Sequence, residues 1–225
     1  MQPLKITAVL QTGQVATIDG LLPLDSILAA EWIRQNHPKE YYAPKRPGEA
    51  QGTGEDLIEA DLPFDRRGNW YYACSFNRGV KLGEYIVYWH KRFDDQMEQY
   101  LDFGGRRGKI DVKSGKFKSY RMPLVVMLFD RLIWYAVGDG DAVLELCRGV
   151  THVGKKTSQG RGAIEQWIVE PWEEDWSERD GEGKITRALP ATEYSGGLVR
   201  RYGLRPPYWY RDNQALCHIP EVITP

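Results

Sequence analysis

A chain of 225 residues, 42% apolar and 27% charged, can bury a sizeable core and has the balance of an ordinary globular protein, not a disordered or fibrous one. A formal net charge of −1 excludes a protein that is polycationic all over, so any nucleic-acid site must arise from local segregation of charge. No apolar run approaches the ~20 residues that span a bilayer, and the start MQPLKITAVLQTGQ lacks the parts of a signal peptide. The three cysteines, Cys74, Cys147 and Cys217, form no CxxC pair. A cytoplasmic protein with reduced thiols and no membrane partner is expected.

In chain order, LKITAVL (4–10) alternates as a strand with Leu4, Ile6, Ala8 and Leu10 on one face. After a turn at Gly13, residues 22–38 carry a helix that Asp25 or Ser26 caps and Pro38 closes. Residues 43–56 have loop composition, and Lys45 and Arg46 within them are candidates for nucleic-acid contact. WYYACSF (70–76) and EYIVYWHKRF (84–93) are aromatic, β-branched strands, and DDQMEQYLDF adds a helical turn or two. In the second strand Tyr85, Val87 and Trp89 share a face and are assigned to the core, with Lys91 and Arg92 at the exposed end as candidates for RNA contact; stacking of a base on Trp89 is the alternative.

Residues 104–121 carry Arg106, Arg107, Lys109, Lys113, Lys116, Lys118 and Arg121 against one acid, Asp111. Glycines punctuate the stretch and β-compatible residues fill it, which predicts a projecting hairpin or loop rather than core. The apolar runs MPLVVMLF and LIWYAV around Asp130-Arg131 predict a buried hairpin, DAVLELCRG (141–149) a helix and AIEQWIVEP (163–171) a strand. From residue 172 onward the chain is first acidic (Glu173, Glu174, Asp175, Glu178, Asp180), read as a solvated loop. It is then aromatic and proline-rich, and RPPYWYR (205–211) is assigned to covering a sheet edge.

Between that helix and strand, GVTHVGKKTSQGRG comes within one residue of the nucleotide-binding pattern G-x-x-x-x-G-K-[ST], with Lys156 where the hydroxyl belongs. The pattern works when a strand enters and a helix leaves, so that helix amides face the phosphates. Here the order is reversed, and a Walker loop is excluded. What remains is Gly154, Lys155, Lys156, Thr157, Ser158, Gln159, Gly160, Arg161 and Gly162. Cations, small polar residues and glycines in that mixture suit close approach to a phosphate backbone, and equally suit a solubilising turn.

The four histidines, His37, His90, His152 and His218, share no metal-ligand spacing with one another or with a cysteine, so neither a metal nor another cofactor is expected. His90-Lys91, or His37 with Tyr41 and Tyr42, could serve a metal-free ribonuclease, but no motif marks either group and the non-catalytic reading is preferred.

DGLLPLDSILAAEW (19–32), THVGKKTSQGRGAIEQWIVE (151–170) and RPPYW (205–209) are where the chain resembles the RAMP proteins of CRISPR effector complexes, and among them the type IV subunit that caps the 5′ handle of the guide RNA. The resemblance implies one α+β domain over 1–225: a ferredoxin-like (RRM-like) βαββαβ core, a basic thumb-like insert at 104–121 and a C-terminal extension at 172–225. It also implies guide RNA as ligand, repeated backbone subunits and a large subunit as neighbours, and target DNA reached through the complex. In that setting residues 154–162 lie against RNA and the 104–121 cations belong to the thumb. A guide-processing endoribonuclease of the same fold and a basic protein-interaction scaffold are the alternatives.

Overall fold

A computed structural model describes residues 1–39, 58–68, 71–102 and 110–220. The loop at 43–56 with Lys45 and Arg46, the tyrosines Tyr41 and Tyr42, and the cations Arg106, Arg107 and Lys109 lie outside the described residues. The rest is a mixed α/β structure built from antiparallel sheets and two α-helices.

The first strand, β1 (Gln2–Leu10), runs through the centre of the main sheet. Its alternation places Leu4, Ile6, Ala8 and Leu10 in the core as expected. It pairs antiparallel with β7 (Arg131–Gly138) on one side and β8 (Ile164–Pro171) on the other. Helix α1 (Leu24–Asn36) and helix α2 (Gly140–Arg148) bury Leu24, Leu28, Val143, Leu146 and Cys147 into the same core, around the fully buried Trp134 of β7. Asp139 caps α2 by accepting from the amides of Asp141 and Ala142.

At the far edge of β7 the chain runs antiparallel again through residues 73–78, held by Ser75 N–H to Tyr135 O, Val137 N–H to Ala73 O and Arg78 N–H to Ile133 O. The expected strand over 70–76 is regular only at β4 (Tyr71–Tyr72), which pairs with β3 (Arg66–Arg67). Side chains interrupt the remainder: Ser75 Oγ accepts from Tyr135 N–H and Asn77 Oδ1 from Ile133 N–H, taking places that backbone carbonyls hold in a regular ladder. The order of the main sheet is therefore β8, β1, β7 and then residues 73–78.

A second sheet is made by β2 (Gln14–Ala16), β6 (Tyr120–Phe129) and β5 (Lys81–Lys91), with β6 in the middle. The expected hairpin around Asp130-Arg131 is corrected here. The two apolar runs do not pair with each other; β6 pairs with β5 and β2, β7 pairs with β1, and the chain passes from one sheet to the other at Asp130. The β5–β6 ladder extends beyond the core as an arm. Tyr85, assigned to the core from its alternation, is 37% exposed, and Val87 and Trp89 are only half-buried. The expected helical turn beyond β5 is a 3-10 helix, Asp95–Tyr100.

Strands β9 (Leu189–Pro190), β10 (Leu198–Gly203) and β11 (Gln214–Ile219) form a third sheet. Leu204, Cys217 and Ile219 pack with Phe76 and Leu21, fixing the C-terminal region to the segment beside β7. Two buried charges join them. Arg187 is fully buried, stacks on the Tyr71 ring at 4.3 Å and donates to the carbonyls of Tyr72, Cys74, Ala188 and Leu204. Asp25 is also fully buried, with the Tyr208 hydroxyl 2.9 and 3.0 Å from its two oxygens. Asp25 is thus not the helix cap. The cap position is Pro23, and Asp25 sits inside the first turn facing the C-terminal region. RPPYWYR accordingly packs half-buried Tyr208 against Phe76 and Tyr202, with its hydroxyl on Asp25.

Burial pushes the Asp25 carboxyl up from 3.8 to about 6, against the opposing pull of Arg187 and Tyr208. The folded chain holds this proton more tightly than the unfolded chain does. Its stabilising effect is complete below pH 3.8, is lost as the pH rises toward 6, and is flat above that. The swing corresponds to about 3 kcal/mol. Asp25→Asn, which cannot ionise, should gain about that much relative to the unmodified chain between pH ~4 and pH ~7.5 in urea unfolding. A stability difference that stays constant over the range would contradict this assignment.

Candidate nucleic-acid interface

The glycine-rich loop leaves helix α2 and enters strand β8, which confirms the order that excludes a Walker loop. Its neck is closed by Val153 N–H to Gly162 O at 2.9 Å and Ile164 N–H to Thr151 O at 3.0 Å. Two further bonds staple it to β2: Lys155 N–H to Ala16 O at 2.8 Å and Gly162 N–H to Gln14 O at 2.7 Å. Because β2 is laddered to β6, the loop is carried at the root of the arm. Between the staples lies a single 3-10 turn, Thr157–Gln159, flanked by left-handed Lys156 (φ 56°) and Gly160 (φ 76°).

The glycines do not all serve a ligand. A Cβ on Gly154 would lie 2.7 Å from Ala16 O, and one on Gly162 only 1.8 Å from Val153 O, so these two face the protein itself. Only Gly160 of the three opens onto free space. Lys155, Ser158, Gln159 and Gly160 are exposed, Lys156, Thr157 and Arg161 are half-buried, and Arg161 donates to Gln159 Oε1 at 2.5 Å.

The Lys156 side chain crosses to the arm, where its ammonium lies 3.3 Å from the centroid of the Trp89 ring. Trp89 also meets Tyr120 across the hairpin, ring centroids 5.1 Å apart. Tyr85, Val87, Trp89 and Lys91 share this face of β5. On the opposite face the Arg121 guanidinium covers Tyr88 at 3.7 Å, and His90 lies opposite Arg121 in the register.

Toward the tip, the Lys91 ammonium donates to Lys116 O at 2.6 Å and Phe93 packs edge-on to Phe117. Asp111, the one acid of residues 104–121, is engaged by a turn. Its carboxylate accepts from Ser114 Oγ and from the amides of Lys113 and Ser114, and these bonds lower its pKa, with the Ser114 hydroxyl the largest cause. Among the described residues it pairs with no lysine.

Among the described residues Lys91, Arg92, Lys113, Lys116, Lys118, Arg121, Lys155, Lys156 and Arg161 make no ion pair with a carboxylate. Other cations do: Arg67 with Asp175 at 2.7 Å, Arg78 with Asp180 at 2.9 Å, Arg200 with Asp19 at 3.2 Å. The acidic run after residue 172 is therefore not a plain solvated loop. Asp175 and Asp180 bind arginines, and Glu178 accepts from Tyr71.

The structure thus brings the two sequence candidates, loop and arm, to one place, favours the surface alternative for Trp89 and adds Tyr85 and Tyr120 beside it. Alternation could not reveal Tyr85 and Tyr120 as surface residues, because the arm carries apolar side chains on both faces. A loop of unpaired cations and small polar groups beside aromatic rings is equipped to hold a phosphodiester chain and its bases.

The model of the family described as CRISPR type IV associated protein Csf3 matches residues 2–220. The chain belongs to this family. No curated protein matches the sequence. As a Csf3-family member it is a component of a type IV CRISPR complex. Among the described residues no helix is long and apolar enough to cross a membrane, and no group of His, Cys, Asp and Glu side chains is arranged to hold a metal ion.

Proposed function

We propose that this protein is the non-catalytic guide-RNA-binding subunit of its complex, a RAMP protein that grips the 5′ repeat-derived handle and nucleates assembly with repeated backbone subunits and a large subunit. Target DNA is then engaged through the assembled particle, in the cytoplasm. The observation that carries the reading is the meeting of loop 154–162 with the arm through Lys156 and Trp89, which gathers cations that no carboxylate among the described residues neutralises. The sheet order β8, β1, β7, residues 73–78, with α1 after the first of these strands in the chain and α2 after the third, is the arrangement expected of a ferredoxin-like core. The arm is inserted between the second and third core strands, where a thumb would project.

Non-catalysis is supported by the geometry of His90 and Lys91. Adjacent residues of a strand project to opposite faces, so the two do not share a reaction centre. The purified protein, incubated with its own repeat RNA with or without Mg²⁺, should shift the RNA and leave it intact over hours. Sequence-specific cleavage abolished by His90→Ala would replace this reading with a guide-processing ribonuclease. Failure to shift any repeat RNA would leave a protein scaffold.

A further inference from the structure

We propose that Trp89 is a stacking platform for one unstacked base of the bound RNA, and that Lys156 guards it, moving from the ring to a neighbouring phosphate when the base arrives. This rests on the RNA-binding reading above. Three observations carry it further than general charge attraction.

First, Lys156 sits over the ring face at 3.3 Å, and Trp89 is half-buried, with Tyr120 as its ring neighbour on the arm. Second, Lys156 is the one non-glycine residue with a positive φ among the described residues, whereas the other positive-φ positions of its loop, 154, 160 and 162, are all glycine. A lysine in a conformation that favours glycine is strained, and the contact of its side chain with Trp89 offsets that strain. Third, that contact is not needed to hold the loop on the arm's root, because the backbone bonds from Lys155 and Gly162 to β2 already do so. The loop therefore stays in place when the cation leaves, and what the cation uncovers is the π-face of an indole. Every nucleobase can stack on such a face, and the displaced ammonium remains within a side chain's length for the adjoining phosphate. Lys91, on the same face of β5 two residues further along, stands about 7 Å from Trp89, the repeat of a strand face, and is placed for the next phosphate.

The test is an abasic scan of the single-stranded repeat RNA. Removing the base at one position should weaken binding to the unmodified protein about 5- to 150-fold. Trp89→Leu should show that loss with intact RNA and no further penalty at that position, while Trp89→Phe should keep the penalty. Lys156→Gly should also keep it, flatten the salt dependence by one contact, and melt close to the unmodified protein because glycine suits the backbone there. A readout without any variant is photocrosslinking of RNA carrying 5-iodouridine at the sensitive position, which should map to the peptide containing Trp89. If RNA binds but the abasic penalties are the same in Trp89→Leu, or the crosslink maps elsewhere, the platform is overturned and the RNA-binding reading stands. If the unmodified protein binds no repeat RNA, both fall.

Discussion

Gly162→Val should lower the stability by more than about 4 kcal/mol, enough to deplete the soluble protein or to drop Tm by roughly 8–16 °C. Gly162 is buried, has φ 70°, and its amide and carbonyl are both engaged, to Gln14 O and from Val153 N–H. An added Cβ would lie 1.8 Å from Val153 O and 2.9 Å from its carbonyl carbon, so it meets backbone that cannot rotate away. A β-branched side chain adds the penalty of the left-handed region, on the order of 1–2 kcal/mol. Relief requires opening the neck of the loop and its staple to β2. Gly160 supplies the contrast. It too is left-handed, at φ 76°, but nothing lies within 4 Å of a Cβ there. Gly160→Asn should cost less than about 1 kcal/mol, since asparagine tolerates this conformation. Urea unfolding of the two variants side by side checks the assignment. A Gly162→Val protein within about 1 kcal/mol of the unmodified chain would show that the loop is not pinned as described.

That contrast also marks the limit of what the sequence reveals. Charge segregation identified both the loop and the 104–121 cations, because unpaired lysines and arginines are legible as residue types. It could not separate Gly160, which faces solvent, from Gly154 and Gly162, which face Ala16 and Val153; that distinction depends on contacts made at a distance in the chain. Strand β1 follows directly from alternation, and α2 buries Val143, Leu146 and Cys147 at helical spacing; α1 buries Asp25 and Glu31 beside Leu24 and Leu28, so its closing Pro38 marks it better than an apolar face does. Strands β6 and β7 were equally visible as apolar runs, but their partners were not. A run ending at Asp130 and another beginning at Arg131 form a hairpin by default, and only the register to β5 and β1 divides them between sheets. Asp25 carries the signal of a helix cap, and its burial against Tyr208 depends on residues far away in the sequence. The convergence of Lys156 with Trp89 was illegible for the same reason. It depends on β2, three residues that sequence patterning treats as a continuation of a turn.

The central claim is that loop and arm form one RNA-binding face, and the salt dependence of binding tests it most directly. Each phosphate contact to single-stranded RNA contributes about −0.7 to the slope of log K against log salt. Lys155→Ala with Lys156→Ala in the loop, and Lys113→Ala with Lys116→Ala on the arm, should each flatten the slope by about 1.4. The four together should flatten it by about 2.8, so that raising salt from ~0.05 to ~0.2 M costs the quadruple variant roughly 50-fold less affinity than it costs the unmodified protein. None of the four lysines makes an ion pair with a carboxylate among the described residues, so Tm should fall only by the Lys156–Trp89 contact, about 1 kcal/mol or a few °C. The measurement is a titration of repeat RNA against both double variants and the quadruple variant across that salt range. Flattening by both doubles is the predicted result, and an unchanged slope in either one would contradict a shared face.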